Sequence, residues 1–353
     1  MIPINAETIK QENKQTRNYM ADMLIMLAAP ASVAVYHYGV RSFWIVAASV
    51  FASIICESLI ELVKQGSALQ RTEDLSAVFT GAAIALMLPA SAPLWLAPIG
   101  SIFAIAVVKL PFGNIRTSPF VPAAAGFAFL TLCYPNLVFT YPSTTMETTL
   151  VTGDIEFVSG TSIAHMLTNK MSIGTSILDI MNLFVGKAAG PMGTSSLLVM
   201  TGLFFYMIVR RRSDFITTAS FLAVCSAMAV IFPRVLSGRS YSLIMELCAG
   251  MLFFSAVFFF ADPVTSPKDQ TGKVLYGFAG GILTMIFRYY GAFEEGVCFV
   301  VLIMNAVSSY FDVLAKKINK AIEESGKNKD PKTDKNKKAK RVPDKKGKGE
   351  IRF

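Results

Sequence analysis

An all-α, polytopic membrane protein is the fold class this sequence predicts, and three observations predict it. Only 16% of the 353 residues are charged, against roughly 25% in an average soluble domain, too few to cover a water-facing surface of this size. Fully 53% are hydrophobic, the mean hydropathy is +0.50, and the apolar residues gather into long runs. The charge is also segregated. Residues 316–353 carry 15 Lys/Arg and 6 Asp/Glu, whereas residues 1–315 carry 18 of each and are neutral. The pI of 9.2 therefore belongs to the tail, and nucleic acid is not an expected partner of the body.

A membrane span needs about 20 predominantly apolar residues, or ~17 at the short end. Taken in order, the runs at 20–38, 43–63, 75–88, 94–108, 120–134, 196–209, 215–232, 243–260, 274–287 and 297–314 predict about ten transmembrane helices. Residues 1–19 form a polar cytoplasmic segment with no cleavable leader, 20–314 a membrane domain, and 315–353 a disordered, basic cytoplasmic tail. Several runs are short and flanked by Gly or Pro, the pattern of broken helices that line a buried site. Lys and Arg in short loops set orientation. With Lys10, Lys14 and Arg17 inside, Lys64, Arg71, Arg116, Arg210, Arg211, Arg212, Lys268, Lys273 and the tail are inside as well. Arg41, Lys170, Lys187, Arg234, Arg239 and Arg288 fall outside, with a Ser/Thr-rich external loop over 135–195. Both termini are then cytoplasmic.

Two halves of five spans show weak likeness. Thr80-Gly81 opens a run ending at Leu88-Pro89, and Ala249-Gly250 opens one ending at Asp262-Pro263. A basic residue and an aromatic-Gly turn follow in each half, at Lys109 and at Arg288. An odd number of spans per half makes the repeats inverted, with sites expected near their interface.

Few side chains carry obvious chemistry. Cys56, Cys133, Cys225, Cys248 and Cys298 are scattered through apolar runs, and with His37 and His165 they form no metal motif. No Gly-x-Ser-x-Gly or HExxH sequence is present, so no catalytic residue is assigned. Charge inside a span costs ~2.5–3.5 kcal/mol on insertion scales, which singles out Glu57, Glu61 and Glu246. Glu57 is either a relay for an ion or proton or half of an interhelical hydrogen bond. Glu61 is read as an end charge, and Glu246 as lying near the external surface.

Longer motifs carry a resemblance. The segment DLSAVFTGAAIALMLP (74–89), Pro93-Leu-Trp95, FAIAVVK (103–109), FADPVTSP (260–267), Glu295-Gly296, Ile303-Met-Asn305 and Asp312 resemble stretches shared by two related subunits. These are the D subunit of the Rnf ion-translocating electron transport complex and the B subunit of the sodium-translocating NADH:quinone oxidoreductase. The chain's length is closer to the former. The resemblance implies a membrane subunit of a multi-subunit redox-driven translocase, coupling electron transfer between ferredoxin and NAD to sodium or proton movement. It implies FMN joined through phosphate to a Thr in an external Ser/Thr-Gly-Ala-Thr motif, with a flavin transferase as maturation partner, and leaves room for riboflavin as a second flavin. Here the loop reads EFVSGTSIA (156–164). Without a gap Ser162 is the acceptor; with one deletion it is Thr161. Lys109 and Arg288 are candidates to bind a flavin phosphate or stabilise a flavin anion, or else are anchors at span ends. The family's Gly-rich segment recurs at 190–197 without its Glu, and both Asn residues of an Asn-Pro-Phe-Asn-Pro-Ala run are missing over 111–123. A flavin-poor paralogue acting as a channel, carrier or scaffold is the alternative.

Overall fold

The computed structural model describes residues 6–65, 75–112, 115, 117–142, 159–160, 162–169, 181–182, 184–186, 188–194, 196–210, 214–235, 238–291 and 293–329. Among the described residues the regular structure is helical, apart from one two-residue antiparallel pairing of β1 (Tyr141–Pro142) with β2 (Ser159–Gly160). Most of the expected external loop, including Thr161, lies outside the described residues.

The first two helices, α1 (Ala6–Tyr38) and α2 (Val40–Gln65), meet at Gly39. They are followed by α3 (Ser76–Met87), α4 (Leu96–Phe103) and α5 (Pro122–Cys133). α4 continues through a π-helical turn, Ala104–Lys109, and α5 begins on a proline, whose missing N–H costs nothing at the first helical position. The short α6 (Ile163–Thr168) precedes α7 (Leu197–Val209), α8 (Phe215–Ile231), α9 (Arg239–Cys248), α10 (Leu252–Phe258), α11 (Gln270–Tyr290) and α12 (Val297–Lys329).

Two short helices form the centre. All of α10 is buried, as is α3 apart from Val78, and they touch through Phe79 and Phe258, with ring centroids 6.2 Å apart. Small residues make this possible. A Cβ on Gly81 would fall 2.7 Å from Ser53 Oγ, so α2 and α3 approach until Ser49 Oγ donates to Gly81 O (2.7 Å) and Ser53 Oγ to Ala77 O (2.8 Å). Small residues and hydroxyl–carbonyl bonds are how helices adhere where lipid removes the hydrophobic drive. Longer helices wrap this centre. α2 packs on α3 and α4, and α8 packs on α9, α10 and α11. α1 meets α7, and α5 meets α12. Outward, α2 presents Phe43, Phe51, Leu59 and Val63, each more than half exposed, an arrangement suited to lipid and not to water.

Among the described residues, three helical stretches are long and apolar enough to cross a membrane: Thr16–Tyr38, Val40–Val63 and Val297–Ile322. The α9–α10 pair, bent by 58°, makes a fourth if counted as one span. The other expected spans are shorter or less apolar. At 1.5 Å per residue, a 12-residue helix such as α3 reaches ~18 Å, less than a ~30 Å hydrocarbon core. The chain that meets its C-terminal end is non-helical. Gly193 N and Met192 N donate to the terminal carbonyls Leu86 O (2.7 Å) and Leu88 O (3.0 Å). The expected run at 243–260 is likewise broken, at Ala249–Met251 between α9 and α10.

One boundary is corrected. α12 runs to Lys329, so the first part of the expected disordered tail, 315–329, is helix. The cause is local: Ala, Lys, Ile and Glu dominate from 315 to 324, with neither Gly nor Pro before Gly326. Residues 330–353 lie outside the described residues.

Candidate functional site

Among the described residues, two places bring carboxylates together with buried bases. In the first, the π turn ending α4 carries Lys109 inward, where it is 1% exposed. Its Nζ is bonded to Glu57 of α2 and to Ser76 at the start of α3. Two further pairs are separate: Lys273 Nζ donates to Asp214 Oδ1 (2.9 Å), and Arg210 Nη2 donates to Asp22 Oδ1 (2.9 Å). Of the two acids on α2, Glu57 is thus an ion-pair partner. A buried pair of this kind costs solvation of both ions and persists only when geometry is good.

The second group surrounds the break between α9 and α10. Arg288, at the end of α11, donates from Nη1 to Glu246 Oε2 (2.9 Å) and Glu246 O (3.0 Å), and from Nη2 to Ala249 O. Arg234 Nε takes the other oxygen of Glu246 at 2.6 Å, and its guanidinium lies 4.9 Å from the Tyr289 ring centroid. Glu246 is therefore held between two arginines. Beside it, Glu295 turns its carboxylate into the chain break. It accepts from Met251 N (3.1 Å) and lies 3.7 Å from Arg288 Nη2. Gly250, at φ +57°, makes room: a Cβ there would sit 1.3 Å from Glu295 Oε1. Both space and backbone conformation demand glycine. Glu295 lies in the turn between α11 and α12, outside the helices, and burial pushes its carboxyl up to about 7 against the pull of Arg288.

Ser162 belongs to this second group. It caps α6, accepting from His165 N (3.0 Å), and donates its own proton to Glu294 Oε2 (2.8 Å). His165 Nδ1 lies 3.1 Å from Glu294 Oε1, and Asn169 Nδ2 lies 2.8 Å from His165 Nε2. Since an amide nitrogen only donates, Nε2 accepts, and Nδ1 carries the proton toward Glu294. A small recess of ≈ 10 Å³, room for about one water, opens here, walled by Tyr141, Ser162, Gly190, Thr194, Gly250 and Glu295 among others.

Ser162 and Arg288 are thus brought to one place, linked through the Glu294-Glu295 turn. Lys109 belongs to the other group, and Thr161 lies outside the described residues. Glu246 sits beside the recess through Glu295 and Arg288, as its early position in the eighth run suggests. Glu294, His165, Asp214, Lys273 and Arg234 are not singled out by sequence. The adjacent acids Glu294-Glu295 after a buried Arg are the one available signal. Among the described residues no group of three or more His, Cys, Asp or Glu is arranged to hold a metal.

A covalent flavin needs a hydroxyl that can lose its proton, next to space. Ser162 meets the first count, with its hydroxyl hydrogen-bonded to the Glu294 carboxylate, but it is 5% exposed and the recess beside it is water-sized, so the flavin itself does not fit there. The chain's contribution when such a group is bound nearby would be that hydroxyl and Arg288, which reaches the adjoining Glu295; the flavin would supply the electron-carrying chemistry.

Buried helices at the centre, apolar residues outward and charges sealed in pairs near helix ends define a membrane protein built of closely packed helices. The chain belongs to the NQR2, RnfD, RnfE family, whose model matches residues 4–320. It is 28% identical over 304 residues to the D subunit of the Na(+)-translocating ferredoxin:NAD(+) oxidoreductase complex of Acetobacterium woodii, covering 85% of this chain and 89% of that one. It is also 28% identical over 318 residues to the D subunit of the ion-translocating oxidoreductase complex of Stutzerimonas stutzeri (83% and 88%). The corresponding D subunit from Salmonella heidelberg matches at 23% over 333 residues (85% and 92%).

Proposed function

We propose that this protein is the D-type membrane subunit of an Rnf-type complex, passing electrons through flavin as the complex moves sodium or protons across the bacterial inner membrane. Its partners are the other subunits of that complex, the bilayer and, during maturation, a flavin transferase. The single observation that carries the flavin reading is Ser162. The hydroxyl that the ungapped alignment puts at the acceptor position donates to the Glu294 carboxylate, close to the helix break. FMN is accordingly proposed as a phosphoester on this motif, on Thr161 or Ser162, and a non-covalent riboflavin elsewhere. Arg288 reaches the adjoining Glu295 and is proposed as the cation nearest the phosphate. The engagement of Lys109 with Glu57 and Ser76 favours its anchoring role.

Ten spans in two inverted halves, with both termini cytoplasmic, is the topology we infer. Contacts between distant segments support it, because each joins residues that this topology assigns to the same membrane face. On the outer side these are Arg41 with Ala90 and Ala92, His37 with Val185, and Ser162 with Glu294. On the inner side they are Glu57 with Lys109, Asp22 with Arg210, and Asp214 with Lys273. The halves also agree in packing. In each, a buried cation near the end of the fourth element reaches the third element, Lys109 to Ser76 and Arg288 to Glu246.

The test is co-expression with an active flavin transferase, followed by in-gel fluorescence and mass analysis of the peptide containing residues 161 and 162. An FMN-sized increment on one of the two is expected. An unmodified peptide, with the transferase active on another acceptor, would leave a flavin-free channel or scaffold subunit.

A further inference from the structure

We propose that one water held in the recess joins Glu295 to Ser162. It completes a path by which the buried acid at the α9–α10 break exchanges its proton, through Ser162 and Glu294, with the surface at His165. The path needs a free Ser162 hydroxyl, so it goes with flavin on Thr161 or with none.

The recess supplies the first link. Glu295 is 2% exposed and Ser162 5%, yet both stand in its wall, with Tyr141 and Thr194 beside them. Its ≈ 10 Å³ is the room one water occupies, and a buried water is stable where several polar groups surround it. Glu295 accepts from Met251 N at 3.1 Å and lies 3.7 Å from Arg288 Nη2. An amide N–H and a guanidinium only donate, so neither takes a proton from the carboxyl, and the recess is its way out.

The hydrogen bonds supply the rest. Ser162 Oγ has one proton and two lone pairs. One lone pair is taken by His165 N at 3.0 Å, and the proton points to Glu294 Oε2 at 2.8 Å. The second lone pair accepts from the water. A hydroxyl so placed receives one proton on the recess side and releases another on the far side. Each transfer balances: Glu295 gives a proton to the water, the water gives one to Ser162 Oγ, and Ser162 gives its own to Glu294 Oε2. Glu294 then releases it to solvent. That end is open, since the Glu294 side chain is 21% exposed and that of His165, 3.1 Å away, is 49% exposed.

The path gives the break an adjustable charge. Glu295 is faced by Arg288 from α11, Glu246 from α9, Tyr141 from β1, Cys298 from α12 and its neighbour Glu294. The formal charges of Arg234, Arg288, Glu246 and Glu295 cancel while Glu295 is ionised. Protonation leaves the four with one net positive charge, without opening the break to solvent.

The experiment uses full-length protein in detergent, expressed without flavin transferase so that Ser162 is unmodified. Time-resolved infrared spectroscopy follows a light-triggered acid jump from above to below about 7, the value to which Glu295 is raised. Glu295→Gln identifies the C=O stretch of the protonated Glu295 carboxyl, which is expected to disappear in that variant. Ser162→Cys keeps the size, but a thiol is a weak donor and acceptor. It is expected to slow the rise of the band at least about tenfold, equivalent to ~1.4 kcal/mol on the barrier. Ser162→Thr keeps the hydroxyl and is expected to respond as the wild type does. An unslowed Ser162→Cys, or equal slowing in both variants when both elute as folded protein, would overturn the relay through Ser162. So would a wild-type band that does not shift in D2O while exposed amides exchange, a result that needs no variant. No band lost in Glu295→Gln would remove the start of the path. FMN found on Ser162 by peptide mass would overturn the path for the mature protein.

Discussion

Glu295 shows how a single residue can be decided by its surroundings. It accepts Met251 N inside the α9–α10 break and occupies the volume that only Gly250 leaves open. Its carboxyl is raised from 4.5 to about 7 by burial, more than Arg288 can offset. Between those two values the folded protein therefore holds a proton that the unfolded chain has given up. Stability is greatest below pH ~4.5 as far as this group is concerned, and its contribution is lost as pH rises toward about 7. Glu295→Gln, neutral at every pH, is expected to abolish that part of the slope. The check is the thermal midpoint in detergent between pH 5 and 8, which should fall more steeply for the wild type. Parallel curves would mean that Glu295 stays charged throughout.

At the scale of elements, three pieces of the first half meet at one charged point. Lys109 ends the π turn after α4, Glu57 lies on α2, and Ser76 opens α3. Removing one partner of a buried pair strands the other charge, whereas replacing both by apolar groups costs far less. Lys109→Met is expected to destabilise the protein by about 3–5 kcal/mol, and Lys109→Met with Glu57→Leu to recover most of it. Thermal midpoints of the two variants, with retention of the monodisperse peak on size exclusion, are the measurement. No recovery in the double variant would show that the pair holds a water or an ion as well as the three elements. The same scale explains why α3 and α10 are so short. They lie wholly inside protein, where non-helical backbone at their ends finds donors such as Gly193 N and needs no lipid-facing helix.

For the whole molecule, the inferred alternation of spans makes a topology that labelling can read. Val40 and Tyr290 are exposed near helix ends assigned to the outer face, and Val63 and Ile322 near ends assigned to the cytoplasm. In a background without the five native cysteines, single cysteines at 40 and 290 are expected to react with an impermeant maleimide in intact cells. Those at 63 and 322 are expected to react only in inverted vesicles. The reverse pattern would turn the protein over and put the Ser162 recess on the cytoplasmic side. A mixed pattern within either pair would break the ten-span alternation itself.

Much is legible from sequence because lipid imposes a simple rule. Apolar runs, the charge-poor body and the Gly- and Pro-flanked segments locate nearly every helix, and the DLSAVFTG and FADPVTSP motifs point to the family that the chain belongs to. The break at Gly250 is signalled only as a run edge, since a glycine in sequence does not say which backbone conformation it adopts. The folded tail up to Lys329 is missed when charge is weighed above helix propensity. Partnerships are beyond reach altogether. Ser162 and Glu294 are 132 residues apart in the chain, and Lys109 and Glu57 are 52 apart. Sequence by itself determined that helices would pack in lipid and which side chains were charged within them. Only the tertiary structure decided which charges meet, because an ion pair or a hydrogen bond between elements depends on distances that are set by the packing of the whole bundle.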